Sequence, residues 1–201
     1  LQYIYQTLTN SDGADPIDYP AIMANPAEFE LVATDAATGK PVYFTKDDMK
    51  QDDYRAIMAS CALPVMCRPI SFKDQTYFDG GLSDSVPIMR AFAKGCDRVV
   101  VILSKPRSFV KQPEGFRHIY RHALRKYPQT IAALDNRHLM YRQNIADVKK
   151  QESAGKALVF APSKELKMST YARDEKLEQE LYDLGISDFD ARLNELHTFL
   201  S

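Results

Sequence analysis

The sequence lacks three features that would assign it to a class at once: a CxxC cysteine pair, a long apolar run, and an excess of charge of one sign. Its 201 residues carry 26 basic and 27 acidic side chains, for a net charge of -1. This balance makes nucleic acid a poor default partner. No apolar run approaches the roughly 18 to 20 residues that span a membrane.

Cysteine is scarce, and the three residues Cys61, Cys67 and Cys96 cannot all be paired in disulfides. We interpret them as reduced thiols of a cytoplasmic protein. Methionine is absent from the first position, where the chain reads LQYIYQTL, so we expect a piece of a longer protein. The length suits one large domain, or one domain with an appendage.

The hydrophobic pattern predicts an α/β protein, because short apolar strands alternate with helical segments. Strands are expected at residues 30–34, 42–44, 98–104 and 157–163. Helices are expected at residues 47–62, at 87–95 after a proline start, and from residue 130 onward. The turn signal Lys73-Asp74 predicts a further hairpin. The run RVVVILS (98–104) is typical of a strand that is buried on both faces of a parallel sheet.

A basic segment occupies residues 105–126, where Glu114 is the single acid. Its seven basic residues are Lys105, Arg107, Lys111, Arg117, Arg121, Arg125 and Lys126. Phe116, Tyr120, Leu124 and Tyr127 fall on another face of the predicted helix. A basic amphipathic helix with aromatic residues suits an anionic membrane surface. The alternative is an ordinary solvated helix face.

Two further patterns suggest chemistry but also have simpler interpretations. His118 and His122 stand four residues apart, as a metal site on one helix face would require, yet no HExxH glutamate accompanies them and the neighbouring arginines repel cations. Residues 81–85 (GLSDS) nearly form the GxSxG nucleophile elbow, but the last position is serine. The alternatives are surface histidines and, for Ser83, a loop serine.

The stretch FDGGLSDSVPI (78–88) places Asp79 in front of two glycines. Asp-Gly is a common turn signal, which favours a structural role. An acid at a strand end, followed by residues without Cβ, could also be approached closely by another backbone or by a side chain that carries substrate. These residues alone leave both interpretations open.

The surrounding sequence, MASCALPVMCRPISFKDQTYFDGGLSDSVPIMRAFAKGCDRVVVILSKP, resembles the second half of a bacterial patatin-like phospholipase domain. The resemblance lies in the Ala-Ser-x-x-x-Pro turn, the Tyr-x-Asp-Gly-Gly motif and the residues that follow at the family's spacing: Asp84, Pro87, Ala91 and Gly95. VATDAATGKPVYF is similar to the family's upstream hairpin. KPRSFVKQPEGF, NRHLMY and APSKELKMS resemble the tail of one bacterial subgroup. Together these motifs cover the chain from about Asn25 to its end.

The resemblance implies a partial patatin-like three-layer α/β fold with a mostly parallel sheet. Residues 1–154 would form the C-terminal portion of the hydrolase domain, and residues 155–201 a small, largely helical α/β extension without a catalytic role. It also implies a Ser-Asp dyad in which Asp79 is the general base, with Gly80 and Gly81 leaving space beside it. Asp84 would be structural.

The family's oxyanion loop, GGGxxG, and its elbow, GxSxG, are both absent from these residues. We therefore expect the chain to be the C-terminal portion of a lipid acyl hydrolase and to be inactive by itself. The implied substrate is a phospholipid or another acyl lipid ester, and the chemistry needs no metal or organic cofactor. The alternative function is a non-catalytic module that binds lipid or protein.

Overall fold

The computed structural model describes residues 1–166 and 174–201, which form two compact units. The first unit contains residues 1–86 and 112–141, and the second contains residues 87–111 and 142–201. The predicted domain boundary at residue 155 falls inside the second unit and stays a prediction. The end of the APSKELKMS motif, residues 167–169, lies outside the described residues.

The strands of the first unit form one antiparallel sheet. They are β1 (Glu30–Asp35), β2 (Pro41–Thr45), β3 (Ile70–Phe72) and β4 (Gln75–Asp79), in the order β2-β1-β4-β3. Short turns connect β1 to β2 and β3 to β4, and such turns can join only antiparallel neighbours. Lys73 and Asp74 both have positive φ, 49° and 59°, as a two-residue hairpin turn requires. The predicted hairpin is thus confirmed.

The described residues contain seven α-helices. They are α1 (Tyr19–Ala24), α2 (Arg55–Ser60), α3 (Ile88–Ala93), α4 (Arg117–Ala123), α5 (Pro128–Ser153), α6 (Glu175–Asp190) and α7 (Leu193–Leu200). Short 3-10 turns lie at Lys46–Asp48 and Gly80–Leu82, and a π-turn at Ile4–Leu8. None of the described helices has both the length and the apolar character needed to cross a membrane.

The helix predicted at residues 47–62 begins later than expected, so the first half of that prediction is wrong. A 3-10 turn at Lys46–Asp48 comes first, and the Asp48 carboxylate accepts the N–H of Thr45 at 2.6 Å. Asp52 then has a positive φ of 62°, and α2 starts only at Arg55. Aspartates favour such turns because their carboxylates bond the nearby backbone in competition with the helix.

Strand β4 is buried on both faces. Tyr77 packs with Phe44 and Phe72 in one apolar cluster, and the Phe44 and Tyr77 rings meet edge to face at 5.0 Å. Phe78 belongs to a second cluster that includes Leu82. Successive side chains of a strand point to opposite faces, so β4 connects the two clusters. The strand that ends at Asp79 is therefore packed against an apolar cluster on each face.

The second unit contains the parallel pair that the sequence predicts. Strand β5 (Val99–Ile102) pairs with β6 (Ala157–Phe160) in parallel register. The mixed α/β class and the helical C-terminal region are confirmed, and within residues 1–166 and 174–201 the parallel pairing is that of β5 with β6. The prediction that β5 is buried on both faces is wrong at the C-terminal end of the strand, because Ile102 is 81% exposed whereas Val101 is buried.

All three cysteines are free thiols, as the sequence analysis predicts. Cys61 and Cys67 are half-buried and Cys96 is exposed. The cytoplasmic location inferred from these residues stays a prediction.

Gly80 provides a direct test of the packing between β1 and β4. A Cβ at this position would lie 2.2 Å from the carbonyl oxygen of Val32, which is backbone of β1. We expect Gly80→Ala to lower the free energy of unfolding by about 3 kcal/mol, because the strand must shift to remove the overlap. Urea denaturation measures this change.

Gly115→Ala is the matched control, since nothing lies within 4 Å of a Cβ at that position. Its free energy of unfolding should stay within about 0.5 kcal/mol of wild type. Equal stabilities of the two variants would contradict the close approach of Gly80 to β1.

Candidate active site

The backbone of Asp79 is held by two different segments. In the sheet, Asp79 is in register with Ala33 of β1. Its own carbonyl accepts the hydroxyl of Thr34, the next residue of β1, at 2.8 Å. Its N–H donates to the carbonyl of Ala62, just beyond α2, at 2.9 Å. The position of the Asp79 α-carbon is therefore set by β1 and by the segment after α2.

The carboxylate of Asp79 caps the 3-10 turn that follows it. Its Oδ1 accepts the N–H of Gly81 at 2.7 Å, a common arrangement at helix starts. A Cβ on Gly81 would lie 2.9 Å from this oxygen and 3.3 Å from Nη2 of Arg137. The two glycines thus have separate tasks, because Gly80 admits the β1 backbone and Gly81 leaves room for the two charged side chains.

Burial raises the pKa of the Asp79 carboxyl above its ordinary value. The N–H of Gly81 and the positive charge of Arg137 act in the opposite direction and offset only part of this effect. A carboxylate with a raised pKa is a stronger base than an exposed one. The site therefore has an electrostatic property that general-base catalysis uses.

A hydroxyl pair beneath the turn determines what Ser83 can do. Thr34, fully buried, has one hydroxyl proton and donates it to the carbonyl of Asp79. The oxygen atoms of Thr34 and Ser83 are 2.8 Å apart, so Ser83 must be the donor of that bond. The Ser83 proton points to Thr34 and not to the Asp79 carboxylate, which favours the loop-serine interpretation.

The rest of the loop is bonded to the sheet and to itself. Asp84 accepts the hydroxyl of Tyr43, from β2, at 2.7 Å. Ser85 donates its hydroxyl to the carbonyl of Gly81 at 2.8 Å. The bond from Tyr43 connects Asp84 to β2, and the structural role expected for Asp84 stays a prediction.

Arg137 is a residue of this site that sequence reasoning missed. It lies on α5, and its Nε donates to the carbonyl of Gly81 at 2.8 Å. Its Nη1 lies 3.1 Å from Oε1 of Glu114. Within the sequence Arg137 is one charged residue of a long helix, and no spacing relates it to Asp79. Only the fold brings the two together.

The two histidines considered for metal binding both lie exposed on α4. Across residues 1–166 and 174–201, no group of three or more His, Cys, Asp or Glu side chains could hold a metal ion. His118 and His122 thus have no third ligand among the described residues.

Comparison with known proteins shows a similarity in the region around Asp79. The family model for patatin-like phospholipase matches residues 7–92. The matched residues include Asp79 and its two glycines. A second family, described only as a domain of unknown function (DUF6363), matches residues 127–201. The predicted family resemblance is confirmed.

A curated protein is also similar to this chain. The uncharacterized protein YjjU of Escherichia coli (strain K12) is 29% identical over 110 residues. The aligned region covers 48% of this chain and 30% of the relative. The chain thus spans under a third of the length of this relative, whose name assigns no activity.

The raised pKa of Asp79 makes stability depend on pH. A carboxyl whose pKa is raised by folding stabilises the fold below its unfolded pKa, and this contribution is lost as pH rises through the folded pKa. Asparagine cannot ionise. We therefore expect Asp79→Asn to have a higher melting temperature than wild type at pH 7 to 8, with a difference that shrinks as pH falls from the raised folded pKa to the ordinary value of 3.8.

Thermal unfolding monitored by circular dichroism between pH 3 and pH 8 measures this difference. Asp12→Asn, at an exposed loop position, is the control for loss of one negative charge. A difference between Asp79→Asn and wild type that stays constant across the pH range would contradict the buried-carboxylate assignment.

Proposed function

We propose that the protein forms part of a patatin-like lipid acyl hydrolase in which Asp79 is the general base of a Ser-Asp dyad. The observation that carries the proposal is the state of this carboxylate. It is partly buried, has a raised pKa and is oriented by one backbone N–H on Oδ1. Its Oδ2 accepts no hydrogen bond from any residue that the structure describes, and so can receive a proton.

The chemistry follows from the weakness of a serine hydroxyl as a nucleophile. The Asp79 carboxylate accepts the hydroxyl proton while the serine oxygen bonds to the ester carbonyl carbon. Protonated Asp79 then donates that proton to the departing alcohol as the ester C–O bond breaks, which leaves an acyl-serine. Water then bonds to the carbonyl carbon of the acyl-serine as Asp79 accepts a proton from it. The bond between this carbon and the serine oxygen breaks, the fatty acid leaves, and Asp79 returns the proton to the serine oxygen.

We do not assign the nucleophile to any residue of this chain. The 201 residues contain neither GxSxG nor GGGxxG, and the hydroxyl of Ser83 is bonded to Thr34. We place the serine and the oxyanion loop in sequence outside this chain, within a longer protein. The substrate class is a phospholipid or another acyl lipid ester, in keeping with the family of residues 7–92.

The activity prediction compares Asp79→Asn with wild type in that longer protein. Asparagine keeps the shape of the side chain and removes the base, so hydrolysis of a p-nitrophenyl acyl ester should fall by roughly 10² to 10⁴. The 201-residue chain alone should show no activity above background. Initial rates from released p-nitrophenol measure both.

Asp84→Asn is the control, because Asp84 bonds Tyr43 and is assigned no proton transfer. It should retain most of the activity. A folded Asp79→Asn protein with full activity would refute the dyad assignment, as would esterase activity of the isolated chain.

A non-catalytic lipid- or protein-binding module is the second candidate, and the presence or loss of GxSxG in the longer protein separates it from the hydrolase. The two functions differ in what they do to lipid. Incubation of the longer protein with phospholipid vesicles should release free fatty acid if it is a hydrolase. A binding module should bind the vesicles and leave the lipid intact.

We also propose a peripheral contact with anionic membranes through helix α4. Phe116 and Ile119 are 82% and 58% exposed, in a stretch rich in basic residues. Arg117 and Arg121 both pair with Asp135, which neutralises part of their charge. The proposed contact therefore depends more on the apolar side chains than the sequence suggests, since exposed aromatic residues insert at the membrane interface.

Co-sedimentation with anionic vesicles tests this contact. We expect the chain to bind, with binding that weakens as salt is added. The double variant Phe116→Ser/Ile119→Ser should lose most of the binding. Tyr182→Ser, at a 65% exposed position of α6, is the control and should bind as wild type does. Equal binding by the double variant would remove α4 as the contact.

A further inference from the structure

The guanidinium of Arg137 and the carboxylate of Asp79 are connected through one residue, Gly81. Arg137 Nε donates to the carbonyl of Gly81 at 2.8 Å. The N–H of the same residue donates to Oδ1 of Asp79 at 2.7 Å. Gly81 therefore bonds the arginine on one side and the carboxylate on the other.

We infer that Arg137 is the positioning residue of Asp79: it fixes the backbone of Gly81, whose N–H orients the carboxylate, and keeps a positive charge beside it. The inference rests on the proposed role of Asp79 as the base. Arg137 itself is assigned no contact with substrate.

The space over Gly81 shows how closely the two groups approach. A Cβ there would lie 2.9 Å from Asp79 Oδ1 and 3.3 Å from Arg137 Nη2. Both groups thus border the same small volume, which only the absence of a side chain at residue 81 keeps open. Any side chain at this position would separate the arginine from the carboxylate or displace one of them.

Arginine suits this task because its guanidinium can bond in two directions at once. Nε bonds Gly81, while Nη1 lies 3.1 Å from Glu114 Oε1. The side chain of Arg137 is only 24% exposed, so solvent and salt screen its charge weakly. Glu114 holds the guanidinium in place without removing it from the Asp79 turn.

The charge of Arg137 matters because burial alone would favour the protonated carboxyl. Arg137 lowers the pKa of Asp79 against the effect of burial, so the group stays ionised over a wider pH range. Cys61, just beyond α2, also interacts electrostatically with Asp79, and Asp84 lies on the same loop, bonded by Tyr43. Neither of these groups is a cation, and Arg137 is the cation that lowers the pKa of Asp79.

The contact also connects the two family regions. Asp79 lies in the patatin-like match and Arg137 lies in the match to the domain of unknown function. Both residues are in the first compact unit. The second family region would thus contribute a residue to the site of the first.

Carboxyl ¹³C NMR of the 201-residue chain tests the inference without any activity measurement. We expect the pKa of Asp79 to rise in both Arg137→Met and Arg137→Gln, because each removes the positive charge. Arg137→Lys keeps a cation and should give a smaller rise. Hydrogen exchange of the Gly81 amide should become roughly tenfold faster in the two neutral variants, since the backbone of Gly81 loses the bond that its carbonyl accepts from Arg137 and is held less firmly.

Arg121→Met is the control, because its guanidinium bonds Asp135 in the same unit. It should leave the pKa of Asp79 and the exchange of Gly81 unchanged. Amide spectra establish that each variant is folded, and Arg137→Gln decides the question if Arg137→Met does not fold. An unchanged Asp79 pKa in a folded neutral variant would overturn the inference.

The longer protein separates this inference from the proposed function. If Asp79 is the base, kcat/KM falls at low pH because Asp79 becomes protonated. This acid limb of the pH profile should move to higher pH in Arg137→Gln. The rate at a fixed pH on that limb should then fall roughly tenfold for each pH unit moved. If Asp79→Asn is inactive and the acid limb of the Arg137→Gln profile does not move, the role of Arg137 is overturned and the role of Asp79 stands. A fully active Asp79→Asn would overturn the dyad, and the NMR result would still decide whether Arg137 positions Asp79.

Discussion

The contact between the backbone of Gly80 and the carbonyl of Val32 is the constraint on which the site depends. With no side chain at residue 80, β4 can end directly against β1, and the chain can turn at that point. The turn directs the N–H of Gly81 back to the Asp79 carboxylate. The orientation of the acid is thus a consequence of how closely two strands pack.

Asp79 also shows a balance between stability and chemistry. Burying a carboxylate is costly, and its raised pKa expresses that cost. The surrounding structure offsets part of it with one N–H and one arginine charge, and leaves the remainder as increased basicity. A turn that served structure alone could use a more exposed acid, so the partial burial favours a chemical role for this residue.

Several elements could be predicted from the sequence because their signals are local. The hairpin at Lys73-Asp74 follows from turn chemistry, and the long α5 helix from apolar spacing. The start of α2 could not, because aspartates near residues 47–53 bond the neighbouring backbone and override the helical pattern. The exposure of Ile102 was equally unpredictable, since burial depends on what packs against a strand and not on the strand itself.

By itself the sequence determined the family of residues 7–92, the strand that delivers Asp79 and the two glycines behind it. These depend on residue type and short spacing, which a sequence displays directly. The tertiary structure alone decided that Ser83 donates to Thr34, and that Arg137 reaches Gly81 across 56 positions of the chain. Such contacts arise when distant segments pack around a common core, and no local pattern encodes them.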